Sequence, residues 1–210
     1  MAVRINLSRT ESRLFCGSKW WGDPDMPKDM QYPMTKDETG EDYPLTFVCQ
    51  VDCNDIAPFD PEGLLPHDGM LYFFAAVDEY LGFDSPVHNG AGRWEKKTVV
   101  VKYAKTINME TFESYIMVDE DDETLTSPAL KMEFEHCDDS AGGLKLLGSP
   151  SGDAAKENMA DFVNILQIEG GDGLLQDLAF PESGILNVML KASDLGFRNW
   201  SRATGYLSLR

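Results

Sequence analysis

The side chains of this chain that could bind a metal ion or act as nucleophiles are its histidines and cysteines. They stand at His67, His88, His136, Cys16, Cys49, Cys53 and Cys137. No two histidines have the HExxH spacing of a zinc hydrolase, and no two cysteines form the CxxC pair of a structural zinc site. A cysteine nucleophile requires a neighbouring base, and no motif joins a cysteine to a histidine. The sequence therefore predicts free thiols, no metal and no cofactor.

Other clusters of polar side chains also lack the spacing that catalysis requires. The densest group of potential ligands is His-Cys-Asp-Asp at residues 136–139. A divalent ion there would need further ligands from elsewhere, and a solvated polar turn is the simpler interpretation. Residues 119–122 lack the glycine and the final glutamate of an EF-hand loop. No GxSxG, P-loop or GxGxxG motif is present in the sequence. We therefore predict no catalytic residue, and a hydrolase with an unrecognised site stays an open alternative.

The charge balance is the clearest functional signal. The chain has 36 acidic residues against 18 lysines and arginines, a formal net charge of −18 at pH 7. Nucleic acids and anionic membranes attract clusters of basic side chains, so this balance argues against both as partners. It favours a basic protein or a cationic small molecule. The alternative is that the charge only keeps the protein soluble.

The acids are concentrated in one segment. Between residues 108 and 139 the sequence has eleven acids and one base, Lys131. At the centre of this segment is a run that we call the acidic loop, which consists of Asp119, Glu120, Asp121, Asp122 and Glu123. Neighbouring like charges repel one another and favour a solvated loop. We expect these five residues to form the contact with a basic partner.

A tryptophan pair in a proline-rich segment forms an alternative site. Residues 18–27 contain Trp20, Trp21 and Asp23, and their prolines and glycine exclude a helix. Tryptophans in such a loop either pack it onto the protein or face a ligand. The alternative function is therefore a small-molecule or carbohydrate-binding module that uses Trp20, Trp21 and Asp23.

The elements that would position these residues are mostly strands. Runs of β-branched and aromatic residues predict strands over residues 45–51, 70–77, 98–103, 162–168 and 185–190. Only residues 153–160 have good helix propensity. The expected fold is a single domain over residues 1–210, of class α+β and predominantly antiparallel β.

Two segments, near residues 44–79 and 162–195, resemble each other. Each has a strand with a central glutamine, Gln50 or Gln167, then a Pro-x-x-Gly turn that ends at Gly69 or Gly184, and a second strand. A lone hairpin cannot bury both of its faces, so two copies would share one core. A buried amide must be hydrogen-bonded, and each glutamine is therefore expected to hold a neighbouring loop. We interpret the pattern as an internal duplication, with chance similarity as the alternative.

Ordered blocks along most of the chain resemble the YwqG-like family, a bacterial family usually described as a domain of unknown function. The family pattern Ser-Lys-Phe-Gly-Gly-x-Pro-x-Leu-Pro is similar to Ser-Lys-Trp-Trp-Gly-Asp-Pro-Asp-Met-Pro at residues 18–27. Further blocks match at residues 44–52, 65–74, 145–150 and 166–167. The chain departs from the family in two loops. Trp21 replaces the first glycine of the pair, and Phe-Pro-Glu-Ser-Gly at residues 180–184 replaces Trp-Gly-Asp-x-Gly.

The resemblance implies a β-rich fold with internal duplication, and it brings no established catalytic residue. Some relatives look like immunity proteins of bacterial toxin systems, so it also implies that this chain neutralises a toxin, with its acidic surface against a basic cleft. The first residues lack the apolar core of a signal peptide, and no apolar stretch approaches the roughly 18 residues of a membrane span. We therefore expect a cytoplasmic protein.

Overall fold

The structure is a computed structural model that describes residues 1–36, 40, 42–77, 91–94, 97–119, 121–155, 161–170 and 184–209. Two sequence-predicted residues, Glu120 of the acidic loop and His88, lie outside the described residues. So do residues 156–160 of the predicted helix. The described part of that segment is a 3₁₀ helix, Gly152–Ala155, where the sequence predicted the start of an α-helix.

Strands are the main regular elements of the described structure. In chain order they are β1 (Ala2–Arg9), β2 (Lys19–Trp20), β3 (Asp25–Pro27), β4 (Met34–Lys36), β5 (Asp42–Pro44), β6 (Thr46–Asp52), β7 (Met70–Ala75), β8 (Gly92–Arg93), β9 (Val99–Ala104), β10 (Phe112–Ser114), β11 (Leu130–Cys137), β12 (Lys145–Leu147), β13 (Phe162–Glu169), β14 (Ile185–Lys191) and β15 (Thr204–Ser208). The described helices are short: α1 (Cys53–Ile56), α2 (Ala192–Gly196), and the 3₁₀ helices Ala57–Phe59, Gly152–Ala155 and Trp200–Arg202.

Eleven strands form one sheet in the order β8-β15-β14-β13-β12-β1-β11-β2-β6-β7-β9. The described pairings in this sheet are antiparallel. Two small two-stranded sheets, β3 with β10 and β4 with β5, lie outside it. The large sheet curls into a half-barrel, and β9 at one end contacts the 3₁₀ helix Trp200–Arg202 that precedes β15. The prediction of a predominantly antiparallel β fold is therefore confirmed.

The core lies mainly on one face of the curled sheet. Both halves of the sheet contribute side chains to this main cluster, among them Val3, Trp20, Leu71, Leu146 and Ile168. In β6 and β7, the side chains that point to the opposite face of the sheet form a second cluster. That cluster contains Tyr32, Leu45, Phe47, Met70, Tyr72 and Phe74. Strands β6 and β7 are thus buried on both faces, which explains why their sequences are nearly continuous apolar runs.

The turn before β7 requires a glycine. Gly69 has φ = 77°, a conformation that side chains rarely adopt. A Cβ atom there would lie 2.2 Å from the carbonyl oxygen of Ala104. The carbonyl of Gly69 also accepts a hydrogen bond from the N–H of Cys53, at 2.9 Å, at the start of α1. At the other turn, Gly184 is buried and its carbonyl accepts a hydrogen bond from the N–H of Gly170 at 2.9 Å.

Residues 136–139 form a polar turn only in part: the N–H of Ala141 donates to the carbonyl of Asp138 at 3.0 Å, whereas His136 and Cys137 belong to strand β11. His136 and Cys137 are the last two residues of β11, which pairs with β1 from Cys137 to Leu130. Leu130 and Met132 point into the core while Lys131 and Glu133 are exposed. This alternation has the period of a half-buried strand, and the high density of acids in the segment obscured it.

Candidate functional site

Asp25, at the start of β3, is a fully buried carboxylate in the centre of a hydrogen-bond network. Its Oδ2 atom accepts hydrogen bonds from Lys19 Nζ at 2.8 Å and from the backbone N–H of Cys16 at 2.8 Å. Gln50 Nε2 donates to the same atom at 3.0 Å, and the Ser114 hydroxyl donates to Oδ1 at 2.7 Å. A buried charge is tolerated only when it is paired and hydrogen-bonded. Lys19 and Asp25 are therefore one structural unit.

Gln50 and Tyr72 fix the backbone around Asp25. Gln50 of β6 lies directly opposite Lys19 of β2. Its Oε1 atom accepts a hydrogen bond from the N–H of Asp25 at 2.8 Å, and its Nε2 atom donates to the carbonyl of Gly17 at 2.9 Å. The Tyr72 hydroxyl donates to the carbonyl of Asp25 at 2.8 Å. We call this network of Lys19, Asp25, Gln50 and Tyr72 the first cradle, because it attaches the proline-rich loop to the sheet.

A second buried lysine occupies the other half of the sheet. Lys145 of β12 is fully buried and lies directly opposite Gln167 of β13. Its Nζ atom donates to the carbonyls of Asp139 at 2.6 Å and Ser149 at 2.9 Å. Burial of the ammonium group lowers the pKa of Lys145 below its ordinary value.

The neighbours of Lys145 repeat the arrangement around Lys19. Gln167 Nε2 donates to the carbonyl of Gly143 at 3.0 Å, two residues before the lysine, as Gln50 does to Gly17. Asn187 of β14 accepts a hydrogen bond from the N–H of Ser151 and donates one to its carbonyl, each at 3.1 Å. We call this network of Lys145, Ser151, Gln167 and Asn187 the second cradle.

The two cradles differ in the charge that faces the lysine. Asp25 follows Lys19 by six residues, and Ser151 follows Lys145 by six. The first cradle therefore pairs its lysine with a carboxylate, while the described contacts of Lys145 are backbone carbonyls. Sequence reasoning found the two glutamines and missed both lysines. The available signal was the pattern Lys-x-x-Gly-x-Pro, which occurs at residues 19–24 and again at residues 145–150.

The acidic loop is the tip of a hairpin with a hydrogen-bonded base. The N–H of Leu125 donates to the carbonyl of Met117 at 3.0 Å, and the N–H of Asp119 donates to the carbonyl of Glu123 at 2.9 Å. Asp119 Oδ1 accepts the N–H groups of Asp121 and Glu123, each at 2.9 Å. Asp119 thus shapes the turn, and all four described acids of the loop are exposed.

Large apolar side chains are exposed beside the acidic loop. Tyr115 is 46% exposed, Ile116 58% and Val118 45%. Tyr115 stacks on Tyr32 with 4.6 Å between ring centroids, and its N–H donates to the carbonyl of Pro24 at 2.8 Å. The acidic loop is therefore joined to the proline-rich loop by an ordered segment with an apolar surface. Apolar side chains rimmed by charges are typical of protein-binding surfaces.

A narrow cleft opens at the root of this hairpin. It is lined by Trp21, Gly22, Thr46, Phe47, Met117, Leu125, Thr126 and Ser127. The cleft encloses about 20 Å³, which is room for about one water molecule. Thr46 is 7% exposed, and its hydroxyl oxygen has no hydrogen-bond partner among the described residues.

The structure separates the three residues of the alternative site. Trp20 is fully buried in the main core, so it presents no surface to a ligand in this conformation. Trp21 lines the cleft and has φ = 56°, a strained value for a residue with a side chain. Asp23 accepts a hydrogen bond from the hydroxyl of Thr126, at 3.0 Å, which also lines the cleft.

The cysteines of the described residues are buried or half-buried. The four cysteines are free thiols. Burial raises the pKa of Cys16 to about 11 and the pKa of Cys53 to about 12, so neither is a thiolate at neutral pH. Within the described ranges, no group of three or more His, Cys, Asp and Glu side chains could hold a metal ion. In the same part of the chain, no helix is long and apolar enough to cross a bilayer.

The chain matches a family model. It is described as a domain of unknown function, DUF1963, and it covers residues 18–207. The matched region includes both cradles, the acidic loop and the cleft. No curated protein matches the chain.

Proposed function

This chain belongs to the DUF1963 family, and we propose that it is a non-catalytic protein that binds a basic protein through its acidic loop. The observation that carries the proposal is the acidic hairpin itself. Its described acids are exposed, its base is hydrogen-bonded, and exposed apolar side chains continue from it along residues 115–118. A charged rim beside an apolar patch gives a partner both electrostatic attraction and buried area.

The shape of the acidic loop supports a binding role over mere solubility. Two backbone N–H groups bind Asp119 and hold the turn in one conformation. A partner therefore meets Asp119, Asp121 and Glu123 already arranged in a turn, which reduces the entropy lost on binding. Charges that only keep a protein soluble do not need a fixed arrangement.

We further propose that the chain is a cytoplasmic YwqG-like immunity protein whose partner is a toxin with a basic cleft. The support is the sequence resemblance together with the position of the acidic loop. We also propose that residues 44–79 and 162–195 arose by duplication. The equivalent lysine–glutamine pairs of the two cradles, in the same register on β2–β6 and β12–β13, support this hypothesis.

The structure gives less support to the two alternatives. A carbohydrate module would stack a sugar on Trp20 or Trp21, and only Trp21 lines the cleft, whose volume is that of about one water molecule. A hydrolase that uses two carboxylates would place acids in a cleft. The described residues that line this one include no Asp or Glu.

The proposal is tested by kinetics with a partner captured from the native host. One variant replaces the five acids of the loop by Asn and Gln. A control variant neutralises five exposed acids elsewhere and so has the same net charge: Glu11, Asp29, Glu62, Asp138 and Asp161. We expect the loop variant to associate at least about ten-fold more slowly at low salt, with a weaker salt dependence than the wild type. Equal association rates for the two variants would show that only net charge matters and that the acidic loop is not the contact.

A further inference from the structure

We propose that the segment of residues 112–118 binds an extended strand of the basic partner, which is added to the sheet beside β10. This inference rests on the proposed function, because the acidic loop follows this segment directly and brings a basic partner to it. In the described structure β10 pairs with β3 in a sheet of two strands. The other edge of β10 therefore has no strand beside it among the described residues.

The hydrogen bonds between β10 and β3 use alternate residues. The N–H of Tyr115 donates to the carbonyl of Pro24 at 2.8 Å, and the carbonyl of Thr111 accepts a hydrogen bond at 3.1 Å from the residue that follows β3. In an antiparallel pair, the residues between such bonded positions direct their backbone groups to the opposite side. Ser114 therefore directs its N–H and C=O groups away from β3.

The same alternation continues into the acidic hairpin. Met117 and Asp119 form their backbone hydrogen bonds with the return strand of the hairpin. Ile116 and Val118 lie between bonded residues, so their N–H and C=O groups face the same side as those of Ser114. No residue in the described ranges forms a backbone hydrogen bond to that side of these three residues. The segment thus presents a row of donors and acceptors to a partner.

The edge of β3 that faces away from β10 is closed by the first cradle. The N–H of Asp25 donates to Gln50 Oε1 at 2.8 Å, and the carbonyl of Asp25 accepts the Tyr72 hydroxyl at 2.8 Å. Because both backbone groups already have partners, no strand can be added at this position. A partner's strand is therefore added beside β10.

The side chains of this segment do not protect its edge. Natural proteins usually protect an exposed edge strand with lysine or proline. Residues 112–118 read Phe-Glu-Ser-Tyr-Ile-Met-Val and contain neither. Tyr115, Ile116 and Val118 are each more than two-fifths exposed, and side chains of these types favour strand pairing. An exposed apolar edge of this kind is typical of a surface that binds another strand.

Charge identifies the occupant. The acidic loop lies at the end of the segment beyond Val118, so a bound strand has lysine or arginine side chains at that end. Beside Tyr115 and Ile116 it has β-branched or aromatic side chains, which pack against their exposed surface. A second copy of this chain has the same net charge of −18 and is repelled. The occupant is therefore a basic and apolar extended segment of another protein.

The probe for the test is a peptide in which a lysine tract precedes a valine–threonine repeat. In an antiparallel pairing this order places the lysines beside the acidic loop. Amide hydrogen exchange, followed by NMR, measures each N–H group separately. At saturating peptide we expect the exchange of the Ser114 and Ile116 amides to slow at least about ten-fold, because a hydrogen-bonded amide exchanges only when its bond opens. The Tyr115 amide, which already donates to Pro24, is the internal control and should change much less.

A second peptide separates backbone pairing from charge. It has the same sequence, but every valine and threonine is N-methylated, so it retains the side chains and the lysines and lacks the backbone donors. We expect it to bind at least about ten-fold more weakly than the probe. Equal affinity of the two peptides, or unchanged exchange at Ser114 and Ile116, would overturn strand addition.

An Ile116→Pro variant tests the edge from the side of the protein. Proline removes the N–H in the middle of the open edge and blocks strand pairing. We expect this variant to lose at least about ten-fold in affinity for the probe. Ile116→Val retains the N–H and a β-branched side chain, and it should bind like the wild type. Urea unfolding checks that each variant is folded, and Val118→Pro provides the same test if Ile116→Pro is not. Wild-type affinity in a folded proline variant would refute the proposal.

Sedimentation of the protein without peptide tests the other occupant. We expect a monomer whose sedimentation does not change in Ile116→Pro. A dimer that Ile116→Pro dissociates would identify a second copy of this chain as the occupant and would overturn the assignment to a basic partner.

Binding of the captured partner distinguishes this inference from the function on which it rests. Slower association of the loop variant, with wild-type binding by Ile116→Pro, would retain the proposed function and refute strand addition. Loss of binding in Ile116→Pro alone would retain strand addition and refute the acidic loop as the contact. Wild-type binding by both variants would refute both.

Discussion

Replacing Lys19 by methionine should destabilise the fold strongly, and the second cradle provides the control. Methionine keeps the length and apolar stem of lysine but removes the ammonium group. Asp25 would then stay fully buried with a charge that no cation compensates. Removing one partner of a buried ion pair costs about 3–5 kcal/mol. Because three other donors still bind the Asp25 carboxylate, we expect a loss near the lower limit, about 3 kcal/mol.

The same substitution at Lys145 should cost less. The described hydrogen bonds of Lys145 go to backbone carbonyls, and the nearby carboxylates of Asp139 and Glu169 are not fully buried, so Lys145→Met leaves no fully buried charge behind. The carbonyl of Asp139 keeps a hydrogen bond from the N–H of Ser149, at 3.0 Å, and only the carbonyl of Ser149 loses this donor. One unsatisfied buried group costs about 1–3 kcal/mol. Removing an ammonium group that burial disfavours offsets part of that loss, so we expect about 1 kcal/mol.

Urea unfolding followed by tryptophan fluorescence measures both free energies of unfolding, because Trp20 and Trp21 are buried next to Lys19 in the sequence. The double variant Lys19→Met, Asp25→Asn should recover part of the stability lost in the single variant, because no uncompensated charge remains. If Lys19→Met destabilises the protein no more than Lys145→Met does, the ion pair is not what stabilises the first cradle.

Three further outcomes are expected. Gly69→Ala should lower the free energy of unfolding by about 2–3 kcal/mol, whereas Gly63→Ala, also at positive φ but with open space at its Cβ position, should cost about 1 kcal/mol in the same urea titrations. Because the pKa of the Cys53 thiol is raised to about 12 in the folded protein, its contribution to stability is complete below pH 9 and is lost as the pH rises through about 12. In unfolding titrations over that pH range, the free energy of unfolding of Cys53→Ala should therefore fall less steeply than that of the wild type, and an equal slope would contradict this. Thr46→Val should raise the free energy of unfolding by about 1 kcal/mol, since it removes an unpaired buried hydroxyl, and a loss of stability would show that the hydroxyl has a partner.

The main strands could be predicted because their sequences are locally consistent. The apolar run at residues 45–51 became β6, Thr46–Asp52, and the runs at residues 98–103 and 162–168 became β9 and β13 with boundaries shifted by one residue. Such runs contain their own signal of burial and β-propensity. Strand β11 was missed because four of its eight residues are exposed, three of them charged.

The cradles could not be predicted because their partners are distant in sequence. Lysine is almost always a surface residue, and the repeated Lys-x-x-Gly-x-Pro pattern relates Lys19 to Lys145 without indicating burial, which arises only when β2 pairs with β6. The same holds for the cleft. Its walls come from three separate segments, residues 21–22, 46–47 and 117–127, and only the folded sheet brings them together. Gln50 and Gln167 were found because each interrupts an apolar strand within its own segment.

The central position of β1 in the large sheet has a consequence for the order of folding. As the chain leaves the ribosome, β1 is made early, but its two neighbours are β11, Leu130–Cys137, and β12, Lys145–Leu147. The middle of the sheet therefore cannot close until β11 and β12 have been synthesised. Sheets with such long-range pairing fold slowly, and their unpaired edges can aggregate meanwhile. We expect the nascent chain to depend on chaperones until β11 and β12 have emerged.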